Sequence, residues 1–236
     1  MPLLAIDTSA AISVALLNDD GAGRALAAGQ ACAVVGQSFH DDQRQHAELL
    51  APIIHNLLVD WALKPSDLTA IAVGTGPGPF TGLRIGLVTA ETLAFALGIP
   101  VYGVCSLDAL AADAALDLKL PVGAEIVATL DARRKELYWA RYQIPSPADG
   151  SGPVTELTPP QVTTPVALSD QLHGTEVVVG DGALKYGIAG AQNPRFVQAS
   201  WVGRLALERA AAGIVQPTTP LYLRRPDIQG QAPQAL

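Results

Sequence analysis

Aromatic residues are scarce in this chain, at 5% of 236 residues, and charged ones make up only 16%. So few aromatics speak against an aromatic-rich binding surface. The hydrophobic 49% is mostly Ala, Val, Leu and Ile, which suits helices packed on a sheet. Positive charge is also short: 15 Lys and Arg face 22 Asp and Glu, leaving a net charge of −7 and a pI near 5.0. Arg133-Arg134-Lys135 and Arg224-Arg225 are the tight basic clusters, thin for an autonomous nucleic-acid binder. The two cysteines, Cys32 and Cys105, have no CxxC spacing and apolar neighbours, and so read as buried free thiols. His40, His46 and His55 are spaced by six and nine, so no HxxxH or HExxH pair puts two imidazoles on one helical face, and no metal ligand set is read. GxSxG and Gly-Lys-Ser/Thr motifs are missing, and no catalytic residue is assigned. MPLLAIDTS has no basic region before its apolar run, and the apolar stretch 85–105 is broken by Glu91, short of the ~18 residues of a membrane span. A soluble, cytoplasmic protein without a membrane partner is expected.

What the chain does contain is a repeated grammar. LLAIDTS (3–9) and AISVALLN (11–18) read as strands of a hairpin with DTSA at its turn, and ACAVVGQSF (31–39) as a third strand. A helical pattern runs from near Asp41 to Trp61, with Leu50, Ile54, Leu57 and Trp61 at steps of four, three and four, and Pro52 set to kink it. LTAIAVG (68–74), a helix from Thr81 to Leu97 and GIPVYGV (98–104) form a βαβ unit with parallel strands. A helix over 107–118 precedes 125–143, read as strand, turn at DARR, strand. IPSPADGSGP (144–153) is a loop, 176–186 a strand followed by a glycine turn, and 200–213 an Ala-rich helix. This divides the chain into a lobe over 1–105, a second over 106–228 and a disordered tail over 229–236, with the 200–213 helix a candidate to pack back on the first lobe.

GTGPGPFTGLRIG (74–86) has the look of a phosphate cradle. It fails the G-x-G-x-x-G template at Pro79, and Pro77 and Pro79 remove two N–H groups that a phosphate would use. The reading adopted is a rigid turn that launches a helix with Thr81 as N-cap. On that helix Gly82, Gly86, Ala90 and Ala94 form a small-residue stripe, and the helix is apolar nearly all round, which predicts burial nearly all round. One face meets the sheet, the other a second helix, of this chain or of a partner. Asp7-Thr8-Ser9 fits the hairpin that handles ATP phosphates in sugar-kinase and actin-like folds. Its counterpart, Asp131-Ala132-Arg133-Arg134, puts bulky Arg side chains where glycine gives phosphate room. GDGA (180–183) is too short a glycine turn to be specific.

AIDTS, RQHAELLAPII (44–54), GPGPFTGLRIG (76–86), GIPVYGVCSLDALA (98–111), DARRKELYWARY (131–142), GDGALKY (180–186) and PLYLRRPD (220–227) occur in the order found in the bacterial TsaB family, also called YeaZ, which the chain resembles over nearly its whole length. Pro79 departs from the family's usual Ser, and Glu91-Thr92 from a common Lys/Gln-Gly pair. The resemblance implies an α/β fold of two lobes, actin/Hsp70/sugar-kinase-like (ASKHA). It implies a non-catalytic subunit in synthesis of N6-threonylcarbamoyladenosine at position 37 of tRNA. The implied partners are TsaD, as a heterodimer, and the ATPase TsaE, with a homodimer forming in the absence of TsaD and tRNA reached only through the complex. Helices near 43–61 and 82–97 would meet TsaD, with His46, Leu50, Ile54, Leu57, Gly82, Gly86, Ala90 and Ala94 as interface residues. Asp7, Thr8, Ser9 and Asp131 would form a vestigial nucleotide site. No cofactor is expected on this chain alone, ATP or ADP being confined to the junction with TsaD. The competing readings are a stand-alone ATPase using Asp7 and Asp131, and direct tRNA binding through Arg133, Arg134, Arg141, Arg224 and Arg225.

Overall fold

A computed structural model describes residues 1–19, 32–41, 46–146 and 152–224. The first half contributes strands β1 (Pro2–Asp7), β2 (Ile12–Asp19) and β3 (Cys32–His40), helix α1 (His46–Asp60), β4 (Ala70–Gly74), α2 (Phe80–Leu97), β5 (Val101–Val104) and α3 (Ser106–Asp117). The second half repeats that order: β6 (Glu125–Arg133), β7 (Glu136–Gln143), β8 (Thr155–Thr163), α4 (Pro165–Ser169), β9 (Val177–Val179), α5 (Asp181–Tyr186), β10 (Ala191–Gln192) and α6 (Ala199–Ala211). The sheets are ordered β3-β2-β1-β4-β5 and β10-β9-β6-β7-β8. In each, an antiparallel meander of three strands is extended by two parallel ones. The halves therefore share one topology although their residues hardly match.

The period-two alternation of a strand sends neighbouring side chains to opposite faces, and both faces of the first sheet are covered. Leu4 and Ile6 of β1 and Ile71 and Val73 of β4 join α1 and α2 in one core, through Leu50, Ile54, Leu57, Leu83, Leu87, Ala90 and Ala94. Leu3, Ala5, Ala70 and Ala72 face the other way, onto Val202, Leu205 and Ala206 of α6. The backbone N–H of Ala199 donates to the Ser13 hydroxyl at 2.8 Å, fixing the start of α6 on the first sheet. Conversely α3, the last helix of the first half, packs on the second sheet. The halves thus exchange their final helices.

Several elements depart from the sequence reading. Helix α2 begins at Phe80 with Pro79 as N-cap, and no side chain caps it: the Pro79 carbonyl accepts from the Leu83 N–H at 3.0 Å, which leaves Thr81 inside the first turn. Its far end is as expected, with Gly98 in the left-handed region at φ 65°. The β6–β7 turn falls at Arg134-Lys135, at the end of DARR and one residue beyond it, with Asp131–Arg133 still in β6. Residues 181–186 are helical. Strand β8 was hidden by Pro159-Pro160, and it lies at a sheet edge, where missing N–H donors are tolerated. Neither Cys32 nor Cys105 is in a disulfide, and both are only half-buried. Helix α2 is long and apolar enough to cross a membrane by length and composition, but six of its residues are buried in this chain. The expected disordered tail lies outside the described residues.

Candidate functional site

The Asp7 hairpin is shut. Asp7 is 1% exposed. Its Oδ1 accepts from the Ser9 N–H at 2.9 Å and the Ser9 hydroxyl at 2.6 Å, and its Oδ2 from the Ser106 hydroxyl at 2.6 Å. The Ser106 oxygen in turn accepts from the Gly76 N–H at 3.1 Å. A Cβ on Gly74 would stand 1.9 Å from Asp7 Oδ2, so the space beside the carboxylate is full. Burial pushes the Asp7 carboxyl above its ordinary range, against the three hydrogen bonds that favour the charged form. A phosphate or its cation would have to displace Ser9 and Ser106 to reach this group. The residues do not fit a nucleotide in this arrangement.

The second hairpin is closed differently. Asp131 Oδ2 receives the Lys185 ammonium at 2.5 Å, and Oδ1 accepts from the Tyr186 hydroxyl at 2.9 Å and the Arg133 N–H at 3.1 Å. Burial pushes this carboxyl up, but those bonds outweigh it and hold it below the usual range. Behind it, burial raises Asp181 to about 6, and its Oδ1 accepts the Asp131 N–H at 3.0 Å. The glycine turn at 180–183 is packed on β6. Gly180 has a φ of 106°, a Cβ there would lie 1.9 Å from the Thr129 carbonyl oxygen, and the Ala183 N–H bonds the Thr129 hydroxyl at 2.8 Å. No phosphate cradle is open at either Asp131 or GDGA.

The tip of this hairpin is unusual. Arg133, Arg134 and Lys135 have φ of 64°, 51° and 60°. Arg133 pairs with Glu136, so Arg134 and Lys135 form a two-residue turn with both φ positive, as in a type I′ turn. That turn favours Asn-Gly, and L-residues with a Cβ in the left-handed region cost ~1–2 kcal/mol each.

The expected interface residues require a correction. Gly82, Gly86, Ala90 and Ala94 are buried against this chain's own sheet. The Thr8 hydroxyl donates to the Gly82 carbonyl at 2.8 Å, and a Cβ on Gly86 would lie 2.4 Å from Thr8 Oγ1. The stripe admits the end of β1, not a helix from elsewhere. Leu50, Ile54 and Leu57 are likewise core residues. His46 opens α1, but its side chain lies outside what is described. The outward face of α2 carries different residues, Val88 at 53% and Phe95 at 88% exposure. Burial all round was the wrong expectation. Between the helices lies an open groove of about 430 Å³, lined by Ala51, Ile54, His55 and Leu58 of α1, Pro65 and Leu68, and Val88, Thr89, Thr92 and Leu93 of α2. Among the described residues no cluster of His, Cys, Asp and Glu is arranged to hold a metal.

Duplicated lobes, each with a β-hairpin aimed at the junction and a helix lent to the other, define a protein of the ASKHA fold. The sequence profile of TsaD, tRNA N6-adenosine threonylcarbamoyltransferase, matches residues 35–148. An uncharacterised protein of Mycobacterium tuberculosis is 38% identical over 198 residues, 82% of each chain. The Escherichia coli tRNA threonylcarbamoyladenosine biosynthesis protein TsaB is 34% identical over 184 residues, 77% of this chain and 72% of that one. YeaZ from Pseudomonas aeruginosa superposes with a TM-score of 0.73 at 29% identity, covering 94% of this chain and 99% of that one. The chain belongs to the TsaB (YeaZ) family.

Proposed function

We propose that this chain is a non-catalytic subunit of the machinery that makes threonylcarbamoyladenosine in tRNA, and that it docks TsaD through the outer faces of α1 and α2. One observation carries the reading: an apolar groove and exposed Val88 and Phe95 lie on a chain whose two aspartate hairpins are closed. Exposed apolar surface of this kind marks an interaction site. In the same reading the cytoplasmic chain holds no nucleotide of its own, works with TsaE, reaches tRNA as part of the complex, and pairs with a second copy when TsaD is missing. ATP or ADP belongs at the junction with TsaD.

The test is Phe95→Asp combined with Val88→Asp, with association to TsaD followed by calorimetry. Both side chains face outward, so the variant should fold normally and bind at least tenfold more weakly, since truncating buried anchors of an interface typically costs more than ~1 kcal/mol each. Unchanged affinity would remove α2 from the interface. A modification assay with TsaD and TsaE should then require this subunit. A thermal shift of several degrees with Mg-ATP on the isolated chain would instead favour an enzyme acting alone.

A further inference from the structure

The chain's last described segment, residues 212–224, runs from α6 along the open edge of the first sheet, where the Gly103 N–H donates to the Gln216 carbonyl at 3.1 Å. It then crosses the mouth between the lobes. The Leu221 N–H donates to the Thr75 carbonyl at 2.9 Å, Tyr222 stacks on Phe80 with ring centroids 4.9 Å apart, and Arg224 Nη1 donates to the Ala132 carbonyl at 2.8 Å. This strap joins two features that lie far apart in sequence. On one side Arg84 lies over the Phe80 ring at 5.2 Å, continuing the Phe80–Tyr222 stack into a cation–π contact. On the other is the basic hairpin tip, with Arg133 52% and Lys185 45% exposed at their side chains. Phe80 and Tyr222 are more than a third exposed. Among the described residues, Arg84, Arg133, Arg134, Lys135, Lys185 and Arg224 lie along this strip, with Lys185 paired to Asp131 and Arg224 to Glu136, in a chain whose net charge is −7.

We infer that this strip, from the Arg84–Phe80–Tyr222 stack to the Arg133–Lys135 tip, contacts single-stranded or loop RNA, its cations meeting phosphates and its aromatic pair taking an unstacked base. Concentrated positive charge on an acidic protein complements the phosphate backbone. Exposed aromatic and guanidinium planes are the platforms on which splayed bases stack. The turn chemistry supports the same reading. A two-residue turn with both φ positive is served best by Asn-Gly, and this one carries Arg-Lys, so the two cations are held at the expense of local fit. The inference rests on the role in tRNA modification proposed above; the strip starts on α2, where Arg84 lies one turn before Val88, and leads away from the α1–α2 groove to the hairpin tip.

The experiment uses the full chain in complex with TsaD and TsaE, with fluorescently labelled tRNA and anisotropy recorded from 50 to 300 mM KCl. Arg134→Asn with Lys135→Gly should raise the melting temperature of this chain, because the turn becomes unstrained. At the same time it should weaken tRNA binding about ten- to thirtyfold near 150 mM salt and flatten the salt slope by roughly 1.5, as expected for two lost phosphate contacts. Phe80→Ala with Tyr222→Ala should weaken binding roughly five- to a hundredfold with the slope unchanged, the signature of lost stacking. A purely structural turn would give the stability gain alone, and that result overturns the inference. So would loss of TsaD or TsaE from the first variant, since the strip would then be a protein contact. If the wild-type chain does not associate with TsaD, the functional reading fails by itself, and the same titrations on the chain alone decide the strip.

Discussion

Replacing Gly86 by Ala separates the two possible roles of the small-residue stripe. On helix propensity alone the change should stabilise α2 by about 1 kcal/mol. The structure says otherwise, because the new methyl would stand 2.4 Å from Thr8 Oγ1, closer than any real contact. Thr8 must turn away and give up its 2.8 Å bond to the Gly82 carbonyl, and the added methyl also strains the seat of α2 on the sheet. The lost hydrogen bond costs about 1 kcal/mol and overpacking ~1–3 kcal/mol. Set against the helix gain, the net destabilisation is about 1–3 kcal/mol, or roughly 3–10 °C in Tm for a chain of this size. Thr8→Ala should rescue it: with the hydroxyl and methyl gone, the nearest atom is Cβ at 3.4 Å, so the double variant should show a favourable coupling of ~1–2 kcal/mol. Urea unfolding followed by circular dichroism measures all four corners of the cycle, and calorimetry with TsaD measures association. Full stability in Gly86→Ala with weakened association would put the stripe on the partner face and refute the packing described here.

Three further outcomes follow from the buried groups. Leu50→Ala should cost ~2–5 kcal/mol, read from urea midpoints, with association of the folded protein unchanged, since Leu50 faces the core. Asp181, raised by burial to about 6, takes up a proton more readily folded than unfolded. Its contribution is therefore present below the unfolded value of ~3.9 and lost as pH rises through 6, so Asp181→Asn should be more stable than wild type by ~1–3 kcal/mol at pH 7, the gap closing by about pH 4 in urea titrations. Asp131 has the opposite sign: held below the usual range by Lys185 and Tyr186, it stabilises above ~3.9 and loses that effect as pH falls. Asp131→Asn should thus be less stable at pH 7, with the difference vanishing in acid.

The first lobe was largely legible because its signals are local. Alternating apolar residues in LLAIDTS, the Gly98-x-Pro100 stop and the helix between two apolar runs each dictate their element without help from distant residues. The second lobe was read less well where local signals mislead. Pro159-Pro160 argues against a strand, yet only an edge position is needed to accommodate them. DARR puts the turn a little early, because Arg134-Lys135 contains none of the residues that favour positive φ. For the site, Asp7 was visible as a charged residue closing an apolar strand, but its plug, Ser106, is 99 residues away. The Gly82-Gly86-Ala90-Ala94 pattern shows that something approaches closely and cannot say what. It proved to be Thr8. The exposed side of α2 was missed for a related reason: Val88 and Phe95 are apolar, and hydropathy alone does not distinguish a core from an interface.

The exchange of helices bears on how such a chain can act. A kinase-like protein works by closing two lobes about a nucleotide, which requires lobes with separate cores. Here one continuous core runs from Leu3, Ala5 and Ala72 of the first sheet, through α3 and α6, to Ile126, Ala128 and Tyr142 of the second. A polar lock crosses the same junction. Asp108 of α3 accepts the Tyr142 hydroxyl at 2.8 Å from β7 and the Arg209 guanidinium at 2.6 Å from α6. Swinging the lobes would break that lock and pull the buried Leu107 and Leu110 out of the core into water. In the function proposed above, the two closed hairpins and the locked junction leave nucleotide-driven closure without a trigger or a hinge. A fixed surface is what remains, and that favours a chain that acts by holding the α1–α2 groove and the basic strip in a set relation to each other.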